Sequence, residues 1–100
     1  MRTRDSPMTT ESESLSDLMH HDVVLDTHGT YLYIGTLVSA DNWFYILEDA
    51  DVHDGAEANS SKEVYVMEAG KFGVKKNRRR VLVRKSEVIS LSLLDDIIKY

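Results

Sequence analysis

The chain has 100 residues, 42% of them hydrophobic, with no cysteine and a formal net charge of −5. That length sets one modest core, and the cysteine count excludes a disulfide framework and thiolate-bound zinc. The negative balance argues against a purely electrostatic nucleic-acid binder, and no apolar run approaches the ~18 residues that span a bilayer.

In chain order, residues 1–13 are rich in Ser, Thr and Glu and read as a disordered tail; residues 14–100 read as a single domain. The N-terminus lacks the apolar middle of a secretory signal, so a soluble cytoplasmic protein is expected. Leu15, Leu18 and Met19 have helical spacing, with Ser14 or Ser16 as N-cap, which predicts a short helix over Ser14–His20. The period then changes. His21–Thr27 carries Val23, Val24 and Leu25 and ends at the turn pair His28-Gly29. Thr30–Ser39, TYLYIGTLVS, is a β-branched and aromatic run, and its internal Gly35 marks a bulge or sharp bend. Ala40-Asp41-Asn42 is a turn signal. Trp43–Val52 is a third strand, with Trp43, Tyr45 and Leu47 on one face and Phe44 and Ile46 on the other. These three strands make a meander.

Asp54–Ser61 is polar and loop-like. Ser60-Ser61-Lys62-Glu63 fits a capping box with Ser60 as cap and Glu63 reaching back, opening a helix over Ser61–Ala69 that Gly70 or Gly73 stops. The alternative is a strand over Glu63–Met67, because VYV favours strands; the helix is preferred. A basic loop follows. Lys71–Arg80 holds six of the twelve Lys and Arg residues, a clustering suited to phosphate neutralisation and equally to a solvated loop. Val81–Val83 and Val88–Leu91 are two short strands joined at Arg84-Lys85-Ser86-Glu87, and Leu93–Tyr100 is an apolar-acidic tail that adds a last strand or packs on a neighbour.

Gly29, then Gly35-Thr36-Leu37, Asp41 and the apolar run Trp43–Leu47 follow the order of the first motif of the Sm-like (LSm) family. Val81-Leu82-Val83-Arg84 with Val88-Ile89 follows the second, Lys85 standing where glycine is usual. The sequence resembles a divergent, bacterial or phage, member of that family over roughly Ser14 to Leu93. The resemblance implies a mainly β fold: an N-terminal helix and a small, strongly bent, five-stranded open barrel. Here the barrel carries a short helix inserted between strands three and four, where the family usually has a hairpin. It implies a cyclic homo-oligomer in which strand four of one subunit pairs with strand five of the next, and a single-stranded RNA or nucleotide site beside the central pore. In that site Asp41 accepts hydrogen bonds that fix the turn, beside Asn42. Arg84 offers a planar fork to a base or phosphate, beside Lys85. Trp43 or Phe44 stacks on a base, and Lys75, Lys76, Arg78, Arg79 and Arg80 add phosphate contacts.

Competing readings stand beside these. Arg84 is alternatively an ion-pair partner of Asp41 or Glu87, Trp43 and Phe44 are alternatively core or interface residues, and the ring is alternatively a protein–protein scaffold. Asp49, Asp51 and His53 alternate, so a strand projects all three from one face, a set that a hard divalent ion or zinc could use, with Asp54, His20, His21 and His28 as further candidates. The simpler view is an ordinary charged face with no metal. No catalytic motif is present, so neither an enzyme nor a cofactor is expected.

Overall fold

The computed structural model describes residues 15–57 and 61–98. The tail read over residues 1–13 lies outside the described residues, as do Ser14 and Ser60. The first described residues, 15–18, are helical (α1). Leu15, Leu18 and Met19 turn the apolar side of this segment onto the barrel core.

Five strands follow: β1 (Asp22–Thr27), β2 (Tyr31–Ala40), β3 (Phe44–Asp54), β4 (Arg78–Arg84) and β5 (Val88–Leu93). An eleven-residue helix, α2 (Lys62–Phe72), is inserted between β3 and β4. All pairings are antiparallel, in the order β4-β3-β2-β1-β5. One bent, open sheet results, with β4 and β5 as its two edges.

The bend has a local cause. Between Ile34↔Asp51 and Thr36↔Glu48 the register gains a residue in β3. Asp49 takes it up with φ +49°, a conformation Asp tolerates better than most side chains. Gly35 lies opposite. A Cβ there would meet the Ala50 Cβ at 2.8 Å and its Cα at 2.9 Å, so only glycine lets the two strands approach this closely. A second irregularity follows between Leu37 and Ser39, and a third between Asp26 and Thr27. Each extra residue kinks its strand and increases the local twist.

The interior has two parts. Val23, Leu25, Leu37, Leu47, Ala50 and Val83 fill the barrel under α1. Val24, Leu32, Ile34 and Leu94 form a second cluster with Val66 and Ala69 of α2. The inserted helix is therefore docked on the sheet. Lys62 anchors its first turn, donating to Asp26 Oδ1 at 2.7 Å and to the carbonyls of Gly29 at 2.7 Å and Thr27 at 3.3 Å.

Several sequence expectations change. The strand alternative over Glu63–Met67 gives way to helix, and the cap is Ser61, whose Oγ accepts from Val64 N at 3.2 Å, rather than Ser60. The helix runs through Gly70 and ends at Gly73, because only Gly73 takes the positive φ (96°) that turns the chain out. Strand β3 begins at Phe44, since Trp43 belongs to the turn. Strand β4 begins at Arg78, so the basic segment is not one loop: Lys71 lies in the last turn of the helix, Lys75 and Lys76 form the connection, and Arg78–Arg80 are strand. Those arginines extend because Arg78 and Arg80 pair with Ala50 and Glu48 of β3, a tertiary choice that local composition does not announce. The C-terminal tail turns back instead of adding a strand. Leu94 is buried, and Ile97 packs on the second cluster.

Candidate nucleic-acid interface

The β2–β3 turn and the β4–β5 joint meet at one end of the barrel. Asp41 organises the turn. Its Oδ1 accepts from the backbone N–H groups of Trp43 and Phe44, both at 2.8 Å, while its own N–H donates to the Phe44 carbonyl at 3.0 Å. An Asp at the start of a turn does this because its short side chain reaches N–H groups two and three residues on. The two N–H donors hold its carboxyl below the usual carboxylate range, and the nearby Lys85 charge adds to the effect. Asp41 is thus an ionised, acceptor-only group.

The joint is fastened to this turn. Phe44 faces Arg84 across the β3–β4 ladder, and Lys85 N donates to the Trp43 carbonyl at 2.8 Å. Residues 85–87 form one tight 3-10 turn, which aims β5 away. Asn42, Trp43, Phe44, Arg84, Lys85 and Ser86 line an open groove between turn and joint. Trp43 is 72% exposed. Its backbone is held by the Asp41 turn, so a large flat ring is left facing solvent. The core reading of Trp43 therefore does not hold within the chain; Phe44 is half-buried. No ion pair joins Arg84 to Asp41 or Glu87 among the described residues, and the guanidinium end is exposed. The Lys85 ammonium lies 5.1 Å from the Tyr45 ring centroid, a cation–π contact that tethers it at the groove.

The structure brings Asp41, Asn42, Trp43, Phe44, Arg84 and Lys85 together, and it separates the remaining candidates from them. Arg80 is four residues from Arg84 along β4 and Arg78 is six, roughly 13 and 20 Å at strand rise. Lys75 and Lys76 lie beyond, beside Asp51, His53, Tyr65 and Asn77. The cations expected around one groove thus lie toward opposite ends of β4.

At the far end the alternation of Asp49, Asp51 and His53 fails. The bulge leaves Asp49 exposed and turns Asp51 and His53 inward, where each is over nine-tenths buried. Among the described residues no group of three or more His, Asp or Glu is placed to hold a metal ion. Instead Asn77 Nδ2 donates to Asp51 Oδ1 at 2.8 Å, and the His53 ring stacks on Tyr65 of α2 at 3.8 Å between centroids. Burial pushes the Asp51 carboxyl up from the usual range, partly countered by His53 and Lys75. Sequence reasoning missed Tyr45 and Ser86 at the groove, and Tyr65 and Asn77 here. The only sequence signal for the second pair was an isolated tyrosine and an asparagine near polar strand residues.

No family model matches the chain, and no curated protein does. Solved structures do. A Pyrococcus abyssii Sm protein in complex with a uridine heptamer superimposes with a TM-score of 0.57 at 17% identity, over 89% of this chain and 99% of its own. The fold is Sm-like. A chain of the NatC complex bound to Gag peptide and CoA superimposes at 0.51 and 18% identity, over 79% of this chain and 89% of its own. A chain of the NatC complex bound to CoA does so at 0.51 and 15%, over 93% and 88%. The Sm-like architecture thus occurs both in a protein holding a uridine oligomer and within a multi-protein complex. Among the described residues no helix is long and apolar enough to cross a membrane.

Proposed function

We propose that this is a non-enzymatic, ring-forming Sm-like protein of the cytoplasm that binds single-stranded RNA at the groove beside its central pore. The observation that carries the reading is the groove itself: an exposed indole, an exposed guanidinium and a lysine are gathered on a turn whose geometry Asp41 fixes through backbone hydrogen bonds. The indole supplies a sequence-tolerant stacking face, and Arg84 supplies planar donors to a base edge or phosphate. The similar Sm protein that holds a uridine heptamer supports a U-rich or related ligand. The free edges β4 and β5 support assembly, because an unpaired edge is a liability unless covered. Pairing β4 of one copy with β5 of the next is a heterologous contact that closes into a ring.

The test is a titration of labelled oligo(U) and oligo(A) against the native oligomer, with its mass measured in the same solution. Binding by a ring, weakening with salt and falling tenfold to a hundredfold in Arg84→Ala, is the expected result; that range follows from about 1.5–3 kcal/mol for a charge-assisted hydrogen bond. A monomer, or no binding at low salt, contradicts it. The second reading, a ring or subunit that scaffolds other proteins, is supported by the NatC neighbours and the −5 net charge.

A further inference from the structure

The inserted helix carries a feature that the pore groove does not use. Phe72, the last residue of α2, is 81% exposed, the most exposed of the large hydrophobic side chains among the described residues. It lies seven residues, two turns, after Tyr65 on the same side of the helix, about 10 Å along the axis. Between them is an open cleft lined by Tyr65, Glu68, Ala69, Phe72, Gly73 and Lys75. A second hollow, sharing Tyr65 and Lys75, adds Lys76.

This surface is held in place. Val66 and Ala69 seat α2 on the sheet, Ala69 also lining the cleft, and His53 stacks against the Tyr65 ring. Gly73, with φ 96°, turns the chain sharply after Phe72. Asn77 then pins the end of the turn to β3: its N donates to Ala50 O at 2.9 Å, its Oδ1 accepts from Val52 N at 3.0 Å, and its Nδ2 donates to Asp51. Lys75 and Lys76 are carried between those two fixed points, and the exposed Arg78 and Arg79 follow directly. A basic strip beside an exposed ring is the chemistry that binds single-stranded nucleic acid: cations neutralise phosphates while a ring takes the base face. This acidic chain gathers half of its cations over Lys71–Arg80, a concentration of charge that complements a polyanion.

We infer that the Tyr65–Phe72 cleft and the Lys75-Lys76 strip form a second contact for single-stranded RNA, separate from the pore groove. A base packs against Phe72 over the cleft, and the flanking phosphates lie along Lys75, Lys76 and Arg78. Glu68, an exposed residue lining the cleft, is acceptor-only when ionised, so it favours bases with an exocyclic amine, adenine or cytosine, over uracil. The inference rests on the RNA-binding reading above and deepens it. Each subunit then holds one strand at two places, the second contact adding to the affinity of any strand long enough to reach both.

Anisotropy of the full-length protein with labelled oligo(U) of about four nucleotides and labelled oligo(A) of about twenty nucleotides tests this. Phe72 and both lysines are solvent-facing, so Phe72→Ala and the Lys75→Ala/Lys76→Ala pair keep the fold, checked by an unchanged Tm. For the long strand, Phe72→Ala weakens binding roughly fivefold to a hundredfold, the range for losing one stacked base, with the salt slope unchanged. The lysine pair reduces the slope of log K against log salt by about 1.4, or about 0.7 per cation. Neither affects the short strand at the pore, whereas Arg84→Ala weakens both. Long-strand affinity and slope untouched by the α2 variants, with Arg84→Ala still weakening them, overturn the inference and leave the pore reading intact. The reverse pattern keeps the α2 contact and removes the pore. No binding of either strand at low salt removes both.

Discussion

At the Asp41 end of the β3–β4 pair, the carboxylate is satisfied by N–H groups two and three residues on; at the Asp51 end, the partner of the carboxylate is Asn77, 26 positions along the chain. The two carboxyls differ accordingly. Asp41 is exposed and pulled down by two N–H donors, while Asp51 is buried under the inserted helix and pushed up. One end is a short-range turn presenting an aromatic and a guanidinium to solvent. The other is a long-range assembly whose interior is polar and whose outer surface is basic. The contrast shows that local chemistry builds the groove, whereas a docked insertion builds the second surface, so the two can be broken separately.

The largest expected effect abolishes both ends together. Gly35→Val places side-chain atoms where a Cβ alone already meets Ala50 below 3 Å. It should cost about 3 kcal/mol or more, at the upper end for overpacking, and urea unfolding will show it as a lowered midpoint. Next, Tyr65→Ala strips the ring from His53 and opens the seat of α2. A loss of about 2 kcal/mol is expected, with faster proteolysis near residues 58–73 and unchanged Trp43 emission. Lys62→Ala removes the contacts to Asp26, Thr27 and Gly29. Because the pair is only partly buried, about 1 kcal/mol is expected, shrinking with added salt; denaturation at two ionic strengths checks it.

The smallest effect separates the ends by sign. Asp41 has a folded pKa below its unfolded one, so its contribution is complete above the ordinary carboxylate range and is lost as pH falls through the lowered value. Asp51 has a folded pKa above its unfolded one, so ionising it costs stability, a cost relieved as pH falls through the raised value. Asp51→Asn retains an acceptor for Asn77 and should raise the Tm near pH 7, the gain fading toward about pH 3. Asp41→Asn should lower the Tm near pH 7, that loss also fading in acid. Changes of the same sign in both variants contradict the assignment.

What the sequence made legible follows the same division. The strand meander, the glycine of the bend and Asp41, Asn42, Trp43, Phe44, Arg84 and Lys85 were readable because each signal is local: Asp41 caps its own turn, and Arg84 sits at the joint between two apolar runs. The far end was not. Alternation through Asp49, Asp51 and His53 looks uniform until the register against β2 shifts opposite Gly35, where β3 takes up an extra residue at Asp49. The triple arginine looks like a loop until β3 pairs with it. Ser60 and Ser61 are equivalent caps on paper, as Gly70 and Gly73 are equivalent stops. The docking of Val66 and Ala69 fixes the phase of the helix and so selects Ser61 and Gly73.

Trp43 is the only tryptophan in the chain and stands in the groove, so its emission reports the proposed site directly. Adding oligo(U) to the native oligomer at low salt should quench and saturate that emission, with the midpoint moving to higher RNA concentration as salt rises and the quench lost in Arg84→Ala. An emission that stays unchanged throughout the titration would contradict the claim that this groove holds RNA.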